Sequence, residues 1–152
     1  MVTRRDVLVA VVAAATGMAA VAWAQSTAPR VMPSSNFDWQ AIKAVSTPTG
    51  EKRAIFSDRT ATLDQLAVHV TTVNPGERAH DPHRHWEEEL IIVKEGTLES
   101  MQNGETMTVG PGSVVFQASN DLHGMKNVGD TPASYYVIKW FPPGSKSAAQ
   151  PQ

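Results

Sequence analysis

Between Asn74 and Asp130 the chain is cut into short pieces by turn-forming residues. They are Asn74-Pro75-Gly76, Lys94-Glu95-Gly96, Asn103-Gly104, Gly110-Pro111-Gly112, Ser119-Asn120-Asp121 and Val128-Gly129-Asp130. Glycine and asparagine supply positive φ and proline presets the turn, so the chain must reverse at each cluster. The pieces between them alternate polar and apolar residues, the period of a strand with one buried face. The clearest is Leu63 to Val73, where Leu66, Val68, Val70 and Thr72 share one face. Further strands are expected over Arg53–Phe56, Leu90–Val93, Thr97–Met101, Glu105–Val109, Ser113–Ala118, Leu122–Met125 and Tyr135–Phe141. Short strands with turn signals about every eight to twelve residues predict an all-β sandwich or barrel. Asn103-Gly104 predicts a type I′ hairpin turn. Asn36 to Val45 reads as a short helix capped by Ser35 or Asn36, or equally as an extended arm laid over the sheet.

The N-terminus has a different logic. Thr3-Arg4-Arg5-Asp6-Val7-Leu8 is similar to the twin-arginine export consensus, with Val7 where that consensus has Phe. An uncharged run to Ala24 follows, and Ala22-Trp23-Ala24 forms a small-x-small cleavage site before Gln25. Residues 1–24 are therefore expected to be a removable signal peptide, by the twin-arginine or the general secretory route. The protein is expected in the periplasm or secreted, with no stable membrane anchor. Residues 25–52 are read as linker and N-terminal arm, 53–141 as one β-barrel domain and 142–152 as a disordered tail. The 128 residues after position 24 suit a single core. They carry eleven Lys/Arg against fourteen Asp/Glu and no basic stripe, which argues against a nucleic-acid partner. The chain has no cysteine, so a metal would have to sit on nitrogen and oxygen donors.

Such donors cluster in one stretch. Gly76 to Gly96 holds three of the five histidines, with His83-x-His85-x-x-x-Glu89 at its centre. Residues two apart on an extended segment face the same side, so His83 and His85 can reach one point. On a straight strand Glu89 would lie about 13 Å from His85. If the chain reverses through Trp86-Glu87-Glu88, Glu89 opens the next strand beside His85. His123, on a late strand, is a candidate for a further ligand, with His80 and His69 as competitors.

These motifs resemble those of the cupin superfamily, in its small single-domain bacterial form. In the first motif, His83-x-His85, three residues, Glu89, six residues and Gly96 match. Gly76 stands six residues before His83 where the family has five. In the second, Gly112, five residues, Ala118-x-Asn120, two residues, His123, three residues and Asn127 match in spacing. Ala118 and Asn120 replace the usual Pro and Gly; Asn enters the left-handed region more readily than other non-glycine residues. The resemblance covers residues 53 to 141. It implies a double-stranded β-helix, or jelly-roll barrel, with His83, His85, Glu89 and His123 holding one divalent metal inside it. A three-histidine, one-carboxylate set suits Mn, Fe, Zn, Ni or Co.

Other polar residues read as follows. Glu87 and Glu88 are expected in a solvated turn, His80 in an exposed loop, and His69 within a strand with its hydrogen bond satisfied. Gln117, Met101 and Met125 are expected to line a pocket. The resemblance implies either a metal-dependent enzyme on a small organic substrate, by oxygen-dependent or Lewis-acid chemistry, or a non-catalytic metal- or ligand-binding protein. No spare inward carboxylate marks a general base. Leu90 and Ile92 alternate with Glu89, Ile91 and Val93, so both faces of that strand need cover. That predicts a homodimer.

Overall fold

Nine strands and a single turn of 3-10 helix account for the regular structure in residues 30–145, the part that the structure, a computed structural model, describes. The expected export signal lies outside these residues. The strands are β1 (Val45–Thr47), β2 (Gly50–Asp58), β3 (Gln65–Val73), β4 (Glu88–Glu95), β5 (Leu98–Gln102), β6 (Glu105–Val109), β7 (Val114–Gln117), β8 (His123–Asn127) and β9 (Ala133–Phe141).

They form two antiparallel sheets. The larger has the order β1-β2-β3-β9-β4-β7 and the smaller β6-β5-β8. The last strand inserts between β3 and β4, so the chain closes on itself as a jelly roll rather than a meander. The inner faces of both sheets meet in one apolar cluster. Val73, Ile91, Val93, Val115, Ala133, Tyr135 and Val137 come from the larger sheet, and Leu98, Val109 and Met125 from the smaller. Period-two alternation produces this directly: Ile91 and Val93 are buried, while Leu90 and Ile92 face outward and are half-exposed.

The turns follow the sequence. Asn103 and Gly104 take φ of 50° and 94°, the two positive values a type I′ turn demands, and Gln102 pairs with Glu105 across it. Asn120, standing where the family has glycine, is at φ 62°.

The N-terminal segment is the extended arm and not the helix. Only Trp39–Ala41 makes a helical turn, capped by Asp38. The arm reaches its partners without more helix. Phe37 stacks on Phe56 at 5.0 Å, Trp39 lies against the cationic groups of Arg53 and Lys94, and Arg53 Nη1 donates to the Ile42 carbonyl at 2.7 Å. β-branched Val45 and Thr47 then pair with β2, which begins at Gly50.

Gly96 tolerates no side chain. Its φ is +84°, and a Cβ there would overlap the Ala133 side chain and lie 2.6 Å from its Cα. The Gly96→Ala protein is expected to lose about 3 kcal/mol of stability, from left-handed strain and overpacking together. Chemical denaturation checks this; a loss below about 1 kcal/mol would contradict the packing described.

Candidate metal centre

The segment between β3 and β4 is irregular, yet it is sewn to β8 along its length. Gly76 N donates to the Asn127 carbonyl at 3.1 Å, and Asn127 N to the Glu77 carbonyl at 2.9 Å. Arg78 bridges to Lys126 and His83 to His123. The last pair exchanges both backbone hydrogen bonds, at 3.1 and 3.0 Å. Residues directly opposite in an antiparallel pair put their side chains on the same face. That is how a histidine in the middle of the chain comes to stand beside one 40 positions later. Asn120 N donates to the His85 carbonyl at 2.7 Å and fixes the other end of the segment. The completely buried Asn127 ties β3 to the turn after β8, donating to the Val73 and Thr131 carbonyls and accepting from Gly129 N.

His83, His85 and His123 converge: one ligand atom from each lies within 4.8 Å of the others. In all three rings Nδ1 faces a backbone carbonyl, of Asp81 at 3.2 Å, Glu87 at 2.9 Å and Asp121 at 2.8 Å. A carbonyl oxygen only accepts, so each Nδ1 carries the proton and each Nε2 keeps its lone pair. Nε2 of His85 and His123 then face each other at 3.1 Å. Nε2 of His85 also sits 2.9 Å from Glu89 Oε1. Three acceptors this close repel unless a cation lies among them, which is the donor chemistry of a divalent metal site. The residues present fit such an ion.

Glu89 stands beside the triad rather than within it. Its Oε1 is in contact with Lys139 Nζ as well as His85. Burial alone would raise its pKa, but its contacts with Lys139 and His85 outweigh burial and hold it down at about 2. Lys139, Glu89 and Gln117 are direct neighbours across β9, β4 and β7, so their side chains share the inner face. Gln117 is 2% exposed, and neither atom of its amide has a hydrogen-bond partner. A buried amide left so costs roughly 1–3 kcal/mol, which is a second sign that a polar group belongs in this interior.

A cavity of about 280 Å³ opens from this cluster towards β1 and β2. His80, His83, Glu89 and Lys139 line one end, Thr47 and Lys52 the other, with His69 and Thr71 on the wall. The His69 ring makes no hydrogen bond among the described residues, contrary to the satisfied strand histidine expected. Burial, helped by Lys52 and Lys139, lowers its pKa to about 4. His83 and His123 are also lowered, chiefly by burial. His80 is exposed, and its ring packs edge-on against His83 at 4.2 Å.

Some expectations need correction. Glu87 and Glu88 are not merely solvated: Glu87 faces His85 and Lys139, and Glu88 accepts from Trp140 Nε1 at 3.1 Å. Trp86 packs against Phe141. Met101 and the core residue Met125 both line a shallow hollow beside Pro82, whereas Gln117 lines neither that hollow nor the cavity at the histidines. Lys139 and Lys52 went unnoticed in the sequence. Strand alternation through Tyr135 and Val137 would have placed Lys139 inward, but only the register puts it against Glu89. A second cavity of about 290 Å³, at the seam between β6 and β7, lies away from the histidines.

The histidine shifts make the metal-free protein acid-sensitive. A histidine with a depressed folded-state pKa binds fewer protons than the unfolded chain does. Its stabilisation is therefore complete above about pH 6.5 and is lost as pH falls, for His69 down to about 4. Denaturation of chelator-treated protein should show stability falling across that window, with a shallower fall in His69→Gln. An unchanged slope in the variant would contradict the placement of His69.

Comparison with known proteins agrees with this architecture. Residues 69–139 match the family model described as the cupin domain. L-ectoine synthase of Bordetella parapertussis is 38% identical over 59 residues, which are 38% of this chain. The match spans 45% of that enzyme, so the chain covers less than half the length of this curated relative. Among solved structures, KdgF from Halomonas sp. superposes with a TM-score of 0.60 at 16% identity, covering 70% of this chain and 94% of that one. The polyketide cyclase RemF from Streptomyces resistomycificus gives 0.59 at 21% identity, covering 71% and 80%. An RmlC-like cupin from Shewanella frigidimarina gives 0.58 at 14%, covering 76% and 97%. Residues 69–139 thus match the cupin domain, and the fold is the jelly roll of the solved cupin structures.

Proposed function

We propose that this is an exported cupin enzyme that holds one divalent metal on His83, His85, His123 and Glu89 and acts on a small organic molecule. The observation that carries the reading is the set of Nε2 lone pairs, fixed by three Nδ1-to-carbonyl hydrogen bonds, with His83 and Glu89 also lining a cavity. When bound, the metal supplies Lewis-acid polarisation of a substrate oxygen. The chain supplies the rest. The three carbonyls hold the imidazole tautomer. Lys139 neutralises Glu89 and orients it. Gln117 offers an unspent amide to a polar group in the interior. His69, kept neutral by burial, lines the cavity wall.

The proteins resembled include a synthase and a cyclase by name, which supports enzymatic chemistry over simple metal holding. The alternative is a periplasmic metal- or ligand-binding cupin; it keeps the same ligand set and gives up turnover.

The homodimer is part of the same proposal. The outer face of the larger sheet carries Val68, Leu90, Ile92 and Ile138, and at its β7 edge Val114 and Phe116 are 61% and 49% exposed. The arm covers the part of this face near Phe56, Arg53 and Lys94.

Native mass spectrometry of the exported protein tests all three elements together. The expected particle is a dimer of chains starting at Gln25, with one divalent ion per chain. His123→Ala should lose the ion, and Glu89→Gln should weaken its binding by more than about tenfold, since a ligand outweighs an outer-sphere partner. Metal-free chains, unaltered metal content in His123→Ala, a retained N-terminus or a monomer would each overturn the corresponding element.

A further inference from the structure

Four charged side chains line the cavity: Glu51, Lys52, Glu89 and Lys139. Glu89 is matched by Lys139, and Glu51 pairs with Arg53 at 3.4 Å. Lys52 also lines the cavity and has no ion-pair partner among the described residues. It extends from β2 on the inner face, opposite Thr71 in the register, and its charge is felt by His69. The cavity therefore has two unlike ends. His80, His83 and Glu89 stand at one, and Lys52 stands at the other with the hydroxyls of Thr47 and Thr71 and with Glu51, which is paired with Arg53. Its volume is below the roughly 300–1,000 Å³ of ordinary ligand pockets, so the occupant is small.

We infer that the substrate is a small organic acid whose carboxylate is held by Lys52 while the rest of the molecule extends to the histidine end. This rests on the metal-site reading above and names the substrate class of the same site. A carboxylate at Lys52, which is exposed at the cavity's edge, supplies the counter-charge that no side chain among the described residues provides. An additional positive ion at the histidine end deepens the preference for an anion.

Elemental analysis comes first, on the full chain, and reports separately on the metal reading. Isothermal titration calorimetry of the same preparation, metal-loaded and metal-free, then compares succinate and malate with succinamide and malamide. The acids should bind at least about tenfold more tightly than their amides. Lys52→Gln should lose about tenfold for the acids, with metal content, melting temperature and amide binding unchanged, and Lys52→Arg should recover most of the loss. Metal-binding failure with Lys52-dependent acid binding intact would sink the metal reading and leave this one standing. Equal affinity for acids and amides, full acid affinity in Lys52→Gln, or no binding by any acid would overturn it.

Discussion

The site depends on one pair of backbone hydrogen bonds, those between His83 and His123. They hold an irregular segment against β8, at the edge of the smaller sheet, and bring two imidazoles onto one face. Everything else at the centre is set relative to that pair. His85 follows two residues later on the same face, and the carbonyls of Asp81, Glu87 and Asp121 orient the three rings. The hydrogen bonds around Asn127 hold the start of the segment, and that from Asn120 to the His85 carbonyl holds its end. Loss of either anchor would free the histidines without removing one.

The interior is graded rather than uniform. Towards the Gly96 end it is apolar, with Leu98, Val93, Ala133 and Met125 closely packed. Towards the other end of the same inner face, Ile91 and Val137 give way to Glu89 and Lys139, and Val115 gives way to Gln117. An apolar floor therefore backs a polar chamber. Burial there is deep enough to leave an amide without a partner and to keep His69 neutral, yet the cavity opens past β1 and β2.

Much of this was legible in the sequence, because it depends on local rules. Period-two alternation and glycine or asparagine turns gave the strands, and the Asn103-Gly104 turn took the backbone those residues favour. The motif spacing pointed to His83, His85 and His123, which the structure brings together. What was hidden depends on register. Nothing near Lys139 in the chain announces that it meets Glu89, or that Gln117 lies across from the same residue; those are facts of β4 pairing with β9 and β7. Glu87 and Glu88 misled for a related reason. They looked solvated beside a turn, but β4 starts at Glu88 and carries them into contact with His85, Lys139 and Trp140. The arm defeated helix capping rules because aromatic contacts to the sheet favour an extended chain.

The central claim is that the fold presents three Nε2 lone pairs by spending each Nδ1 on a carbonyl. A crystal structure of the metal-loaded protein, with the ion located by its anomalous scattering, tests it most directly. The account predicts one ion about 2.0–2.2 Å from Nε2 of His83, His85 and His123, with the three Nδ1 contacts unbroken. An ion bound through any Nδ1, or lodged away from the triad, would contradict it.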